Sequence, residues 1–364
     1  MLLCASVVPP PIAVQGGSMA IPVLSEVALE ASLRSSGSNF GLASAASAAS
    51  SNPEDVCVPV IDLQSLQAAD LLWQAASTLG FFVVTNHGVP QKCIDDAFNT
   101  SDDFFLNHTL EQKEAQSPFS APNNAGYEFM KQVRPSTGLP DQKESLQVTA
   151  RQGCMDGRWP NAPANLKPAV EALLEHSHAL CSRLLNMLEP RAAPQLKPGT
   201  LANAHTLWAD DGQFTLRMLH YPPIEGGKDK LAKLAEDGHW RAGPHTDWCN
   251  LTLLYQRAGE SGLECAPNVR AAADTAWVAV DNVDGGIAVN VGDMLGRWSD
   301  GRLYSNLHRV RMPKPEEAHK GRRSVAFFMQ ADKKALIECS QHDAITAGEY
   351  ILGRIKSNFD ASKS

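Results

Sequence analysis

The chain has 364 residues, 43% hydrophobic and 20% charged, a globular composition sufficient for one large domain or two small ones. Its net charge of −8 and lack of a basic cluster argue against nucleic acid or an anionic membrane as partner, and no apolar run is long enough to span a bilayer. The eight cysteines are scattered with no Cys-x-x-Cys pair, the pattern of reduced thiols and a cytoplasmic setting.

Residues 1–55 are rich in Ala, Ser and Pro, with Arg34 the only basic side chain and Glu26 and Glu30 the only acids before position 54. Such a stretch has little from which to build a core, so it is expected to be a disordered, low-complexity extension with at most a short helix near Leu24–Leu33. An organelle leader shares the Ser-rich, acid-poor character but wants more arginines; an unstructured extension, or one preceding a true start at Met19, fits better. From Val56 the pattern turns to strands and helices. Val58–Leu63 reads as a strand, Leu66 to Leu79 as a helix ended by Gly80, Phe81–Val84 as a buried strand, and Gln91–His108 as a second helix. Residues 116–163 carry many Pro, Gly and Asn residues and are expected to form loops over the site mouth. Helical spacing returns between Val170 and Leu188, where His176 and His178 face different sides and read as surface or satisfied histidines.

From Phe214 to Met329 strands dominate: 214–221, 249–256, 276–281, 287–291, 304–310 and 322–329, joined by Gly- and Asp-containing turns, which suggests two packed sheets. Ile345–Phe359 then reads as a closing helix. The division expected is 1–55 extension, 56–213 packing region and 214–359 core.

Within this second half, Gly243-Pro244-His245-Thr246-Asp247 precedes a strand, and His308 follows far downstream. On extended backbone, residues two apart share a face, so His245 and Asp247 can converge on one point. Two imidazoles and a carboxylate make the facial set that leaves three positions of an octahedral Fe(II) open. Zinc more often takes three histidines or thiolates, whereas Mn, Co or Ni fit the same donors as iron. Arg322 and Ser324 share a face of a later strand while Arg323 points the other way, and a guanidinium beside a hydroxyl suits a carboxylate.

These segments, with Pro59–Leu63, Gly80–Val89, Lys143-Glu144-Ser145, Arg217–Pro223, Val289–Leu295 and Ser305–Val310, stand in one order over roughly residues 56–359. In that order the chain resembles the 2-oxoglutarate- and Fe(II)-dependent dioxygenases of the isopenicillin N synthase-like family. The resemblance implies an α+β fold, a double-stranded β-helix (jelly-roll) barrel with flanking helices. It implies Fe(II), 2-oxoglutarate and O2 as cofactor and co-substrates, with ascorbate stimulating turnover. It makes His245, Asp247 and His308 the metal ligands, and Arg322, Ser324 and Tyr221 the holders of the far carboxylate of 2-oxoglutarate. Trp248, Arg217, Tyr127, Phe129 and Met294 become substrate-pocket positions, and Asn290 and Asp293 are expected to shape a turn. Leu219 departs from a common plant pattern, which has Asn there. The reaction implied is oxidative decarboxylation of 2-oxoglutarate to succinate and CO2, coupled to oxidation of a small-molecule substrate by a monomeric enzyme. Two rivals stay open on the residues alone: an iron oxidase of the same family that needs no 2-oxoglutarate, and a silent barrel that binds a ligand.

Overall fold

The computed structural model describes residues 57–134, 136–267 and 277–361, the last five by backbone alone. The expected N-terminal extension and the helix near Leu24–Leu33 lie outside the described residues.

The N-terminal region opens with β1 (Val60–Asp62), α1 (Ala68–Thr78), β2 (Phe81–Thr85), α2 (Gln91–Leu106) and α3 (Leu110–Gln116). β3 (Gly126–Phe129) and β4 (Glu144–Thr149) follow, then the long α4 (Leu166–Ala192) and the short α5 (Thr200–Asn203). The second half runs β5 (Thr215–Tyr221), α6 (Gly227–Glu236), β6 (Ala242–His245), β7 (Leu251–Gln256), β8 (Leu263–Cys265), β9 (Val278–Ala279) and β10 (Ile287–Val291). It closes with α7 (Asp293–Trp298), β11 (His308–Val310), β12 (Arg322–Met329), β13 (Leu336–Ile337), β14 (Ile345–Thr346) and α8 (Ala347–Ala361).

Eight strands form one sheet in the order β1-β2-β10-β7-β12-β5-β4-β3, and four form a second in the order β6-β11-β8-β9. Strands from both halves of the chain therefore share the large sheet. The expected loops at 116–163 contain β3 and β4, a correction: Glu144 to Thr149 is buried throughout. The strand lies within a stretch whose Pro, Gly and Asn content predicts loop, and its polar residues alternate with Leu146 and Val148.

Alternation divides the large sheet into two faces. Leu216, Met218, Leu251, Leu253, Tyr255, Val289, Val291, Val325 and Phe327 join the principal core, which includes one stripe of α4. That stripe, Leu166, Val170, Leu173, Leu174, Leu180, Leu184 and Leu188, recurs at three- and four-residue spacing, so the helix has one apolar side to bury. The tie is also polar, since the Ser177 and Tyr255 hydroxyls lie 2.8 Å apart. The opposite face carries Phe81, Leu219, Tyr221, Ala288 and Ala326 and packs with Ala242, Leu263, Cys265 and Val310 of the small sheet. Two sheets meeting face to face, with helices outside the large one, make the jelly-roll sandwich with flanking helices.

Candidate active site

The cleft opens between the two sheets. In the small sheet β6 and β11 run antiparallel with His245 directly opposite His308, and a register irregularity follows between His308 and Val310. The two rings tilt at 52° with centroids 4.3 Å apart. Asp247 completes the group: its Oδ1 is 3.8 Å from His245 Nε2 and its Oδ2 is 3.6 Å from His308 Nε2. All three side chains are buried, and their donor atoms lie within 4.8 Å of one another.

Each ligand-type side chain is oriented by its own neighbourhood. His245 Nδ1 donates to the Gly243 carbonyl at 2.7 Å and His308 Nδ1 to the Asn306 carbonyl at 3.1 Å. With Nδ1–H spent on backbone, the proton-free Nε2 of each ring turns toward Asp247, the tautomer a metal requires. Burial, then the nearby Arg134 and His308, holds the His245 imidazole well below its usual pKa and so neutral. Asp247 Oδ2 accepts from Thr252 Oγ1 at 2.6 Å and from Asn290 Nδ2 at 2.9 Å. These bonds fix the carboxylate plane and leave Oδ1 for another partner.

The backbone under Asp247 is held as firmly. Asp293 N donates to the Asp247 carbonyl at 2.7 Å, and Gly292 N to the Asn250 carbonyl at 3.0 Å. A Cβ on Gly292 would stand 2.1 Å from the Cys249 carbonyl oxygen, so only glycine permits this approach. Behind it the Asp293 carboxylate accepts from Thr246 and Ser305 and pairs with Arg354 of α8 at 2.9 Å.

Further along the cleft, β12 places Arg322 and Ser324 on the inner face, and Arg322 is directly opposite Tyr221 of β5. The Arg322 guanidinium is buried, 5.1 Å over the Tyr221 ring. It donates to Ser324 Oγ at 3.3 Å and Gln256 Oε1 at 3.1 Å, while its Nε has no partner among the described residues. None of these hydrogen-bond acceptors is a carboxylate. Arg323 leaves the other face, where its Nε reaches Asp102 of α2 at 2.9 Å.

His245, Asp247, His308, Arg217, Tyr221, Arg322 and Ser324 thus line one cleft. Four expected pocket residues do not, and each is a correction. The Tyr127 hydroxyl bonds Glu144 and its ring packs on Phe104 and Phe105, on the helix side of the sheet. Phe129 packs against the principal core on that same side, and Met294 is fully buried inside it. Trp248 leans on this core under the Arg354 guanidinium, 5.4 Å away.

Cleft residues that sequence reasoning passed over are Arg134, Lys143, Thr252 and Asn290. Asn290 and Thr252, expected as a turn former and plain strand, are opposite one another in β10 and β7. A signal existed: Asn290 is the one polar residue of the buried β10, and Thr252 sits between Leu251 and Leu253 in β7. Asp141 binds Arg134 at 2.9 Å, Lys143 at 2.6 Å and the Gly243 amide at 2.9 Å, tying these cations to β6.

Comparison with known proteins gives the family. The 2OG-Fe(II) oxygenase superfamily model matches residues 213–331, and the model for the N-terminal region of the non-haem dioxygenase in morphine synthesis matches residues 58–168. The Validamycin A dioxygenase of Streptomyces hygroscopicus subsp. limoneus is 28% identical over 302 residues, covering 76% of this chain and 78% of that one. The 2-oxoglutarate-dependent dioxygenase ucsF of Acremonium sp is 26% identical over 337 residues, covering 82% and 98%. Among solved structures, a full-length Neurospora crassa protein in complex with α-ketoglutarate and 5-formyluracil superposes with a TM-score of 0.69 at 25% identity, covering 83% and 97%.

The chain belongs to the 2-oxoglutarate- and Fe(II)-dependent oxygenases. It is accordingly an oxidoreductase of the dioxygenase type, working with Fe(II), 2-oxoglutarate and O2. No helix among the described residues is long and apolar enough to cross a membrane.

Proposed function

We propose that His245, Asp247 and His308 hold the Fe(II), that Arg322, Ser324 and Tyr221 receive the far carboxylate of 2-oxoglutarate, and that the cleft oxidises a small metabolite. The donor set fits the ion: two neutral imidazole nitrogens and one carboxylate oxygen, each fixed by a second hydrogen bond, with no fourth ligand of this kind in the cluster among the described residues. The single observation that carries the co-substrate is Arg322, a buried guanidinium with only neutral acceptors and an unpartnered Nε. A buried cation costs several kcal/mol without an anion, and a carboxylate taken in two parallel bonds offsets that cost.

Bound there, the iron would supply O2 activation driven by decarboxylation of 2-oxoglutarate. The chain's part is placement. Arg322 orients the diacid, Asn290 and Thr252 hold the Asp247 carboxylate, and the apolar walls, among them Phe81, Leu219, Leu254 and Ala326, keep water from the reacting C–H bond.

The test is anaerobic addition of Fe(II) and 2-oxoglutarate, followed by O2. A visible metal-to-ligand absorption band should appear only with both present, and O2 uptake should be accompanied by succinate. Uptake that proceeds without 2-oxoglutarate would instead make the protein an oxidase; no band and no uptake would make it a silent barrel.

Asn290→Ala provides a sharper check on the ligand assignment. It removes one of the two bonds to Asp247 Oδ2. Loss of such an outer partner weakens metal binding by about 10- to 100-fold. Mn(II) titration should show that loss while the metal-free melting curve stays cooperative; unchanged affinity would mean that Asp247 is not the ligand held here.

A further inference from the structure

We infer that the prime substrate is a small organic acid whose carboxylate is received by Arg217, with its apolar body lying along Phe328; the inference rests on the iron and 2-oxoglutarate reading above.

Strand register supplies the ruler. On the inner face Arg322 is opposite Tyr221 and Ala326 is opposite Arg217. Four residues separate Arg217 from Tyr221 along β5, about 13 Å at ~3.3 Å per residue. The Arg217 guanidinium leans further away, its carbon 5.7 Å from the centroid of Phe328. Phe328 in turn is opposite Thr252, the residue that holds Asp247. Arg217 therefore meets the cleft beside the metal end, while Arg322 marks the other. A five-carbon diacid held at Arg322 is too short to occupy Arg217 as well. What Arg217 faces is the place left for the second substrate.

The chemistry of the position calls for an anion. Arg217 donates through Nε to Gln147 and through Nη1 to Gln132 at 3.1 Å, both neutral carboxamides. Two of its five N–H groups are thus used, and neither bond neutralises the charge. It lines the cleft, half-buried. Arg134 and Lys143 line it too, sharing the single carboxylate of Asp141. With Arg322, three guanidinium groups and Lys143 border the cleft, against Asp247, the underlying Asp141 and Glu128 near Arg217. Iron and dianionic 2-oxoglutarate cancel one another, so loading the site leaves Arg217 with neutral hydrogen-bond acceptors alone. Burial, with Arg134 and Arg217 nearby and only Asp141 opposing them, pushes Lys143 down to about 7. A cationic substrate would meet the Arg217 guanidinium unfavourably, and a neutral one would leave it without a hydrogen-bonded anion.

The experiment uses the Fe(II)·2-oxoglutarate holoenzyme and two matched probe pairs, phenylacetate with phenylacetamide and hexanoate with hexanamide. Binding is read anaerobically from the perturbation of the metal-to-ligand band. The acids should bind at least about tenfold tighter than their amides, the scale of one charge-assisted bond. Arg217→Gln should bring that ratio close to one, and Arg217→Lys should restore part of it. The melting shift given by Mn(II) plus 2-oxoglutarate reports whether each variant is folded and loaded. Amides that bind as well as acids, acids that do not bind, or a ratio that survives Arg217→Gln would overturn the inference. If the band never forms in the wild-type protein, the iron and co-substrate reading fails first and this one falls with it; a normal band without acid preference sinks the substrate class alone.

Discussion

Asp247→Ala is expected to abolish iron binding and turnover while leaving the fold in place. The carboxylate is the sole anion of the proposed ligand set, so its removal leaves two neutral imidazoles. The loss should exceed the ~10–100-fold that removal of an outer partner costs. Stability should change little by comparison. The Thr252 hydroxyl and Asn290 amide each lose an acceptor, at about 1–3 kcal/mol for a buried unsatisfied group. Against this, a buried carboxylate no longer needs to be desolvated. The barrel packing itself runs through other residues, since Asp247 belongs to neither apolar cluster that holds the sheets together. Metal content by atomic absorption, with a melting curve of the metal-free variant, gives both quantities. Full iron occupancy in the folded variant would remove Asp247 from the ligand set.

Arg322→Met should weaken 2-oxoglutarate binding about a hundredfold or more, with iron affinity unchanged. Removing one member of a buried charge pair costs roughly 3–5 kcal/mol, and ~1.4 kcal/mol is a factor of ten. Arg322→Lys should fall between, because a point charge cannot reproduce the planar fork that now also reaches Ser324 and Gln256. Arg323→Met is the control for strand register. Its guanidinium is committed to Asp102 and Glu260 on the helix side, partly exposed, so its loss should cost little stability and no co-substrate affinity. Titration of the metal-to-ligand band measures all three. A result in which Arg323→Met weakens binding and Arg322→Met does not would place the wrong face of β12 in the cleft.

Much of this arrangement was legible in the chain because period-two patterning is a local property. His245 and Asp247, Arg322 and Ser324, and Arg217 and Tyr221 are each related by even spacing on extended backbone, and all six line the cleft. The apolar stripe of α4 was legible from its three- and four-residue spacing, and β5, β7, β9, β10, β11 and β12 from their alternation, whereas β6, β8, β13 and β14 are too short to carry either signal. What was not legible depends on which face of a strand turns inward. Tyr127 and Phe129 have the right spacing, but β3 turns both toward the helices, where Glu144 holds Tyr127. β4 was hidden in a segment rich in Pro, Gly and Asn, and only its pairing with β5 shows that Ser145 and Gln147 face the cleft side. Asn290 seemed a turn former until its partner across β7, Thr252, revealed the carboxylate between them.

The two sheets also divide labour in a way that bears on how such a protein can change. His245 and His308 belong to the small sheet, and Asp247 lies just beyond β6. Arg217 and its partner Gln147 stand on β5 and β4, near the far edge of the large sheet. On the proposed roles, a substitution at that edge is expected to change which molecule is accepted while β6 and β11, and the Thr252 and Asn290 bonds to Asp247, stay as they are. Mutations in β6 or β11 have no such freedom, since their pairing sets His245 opposite His308.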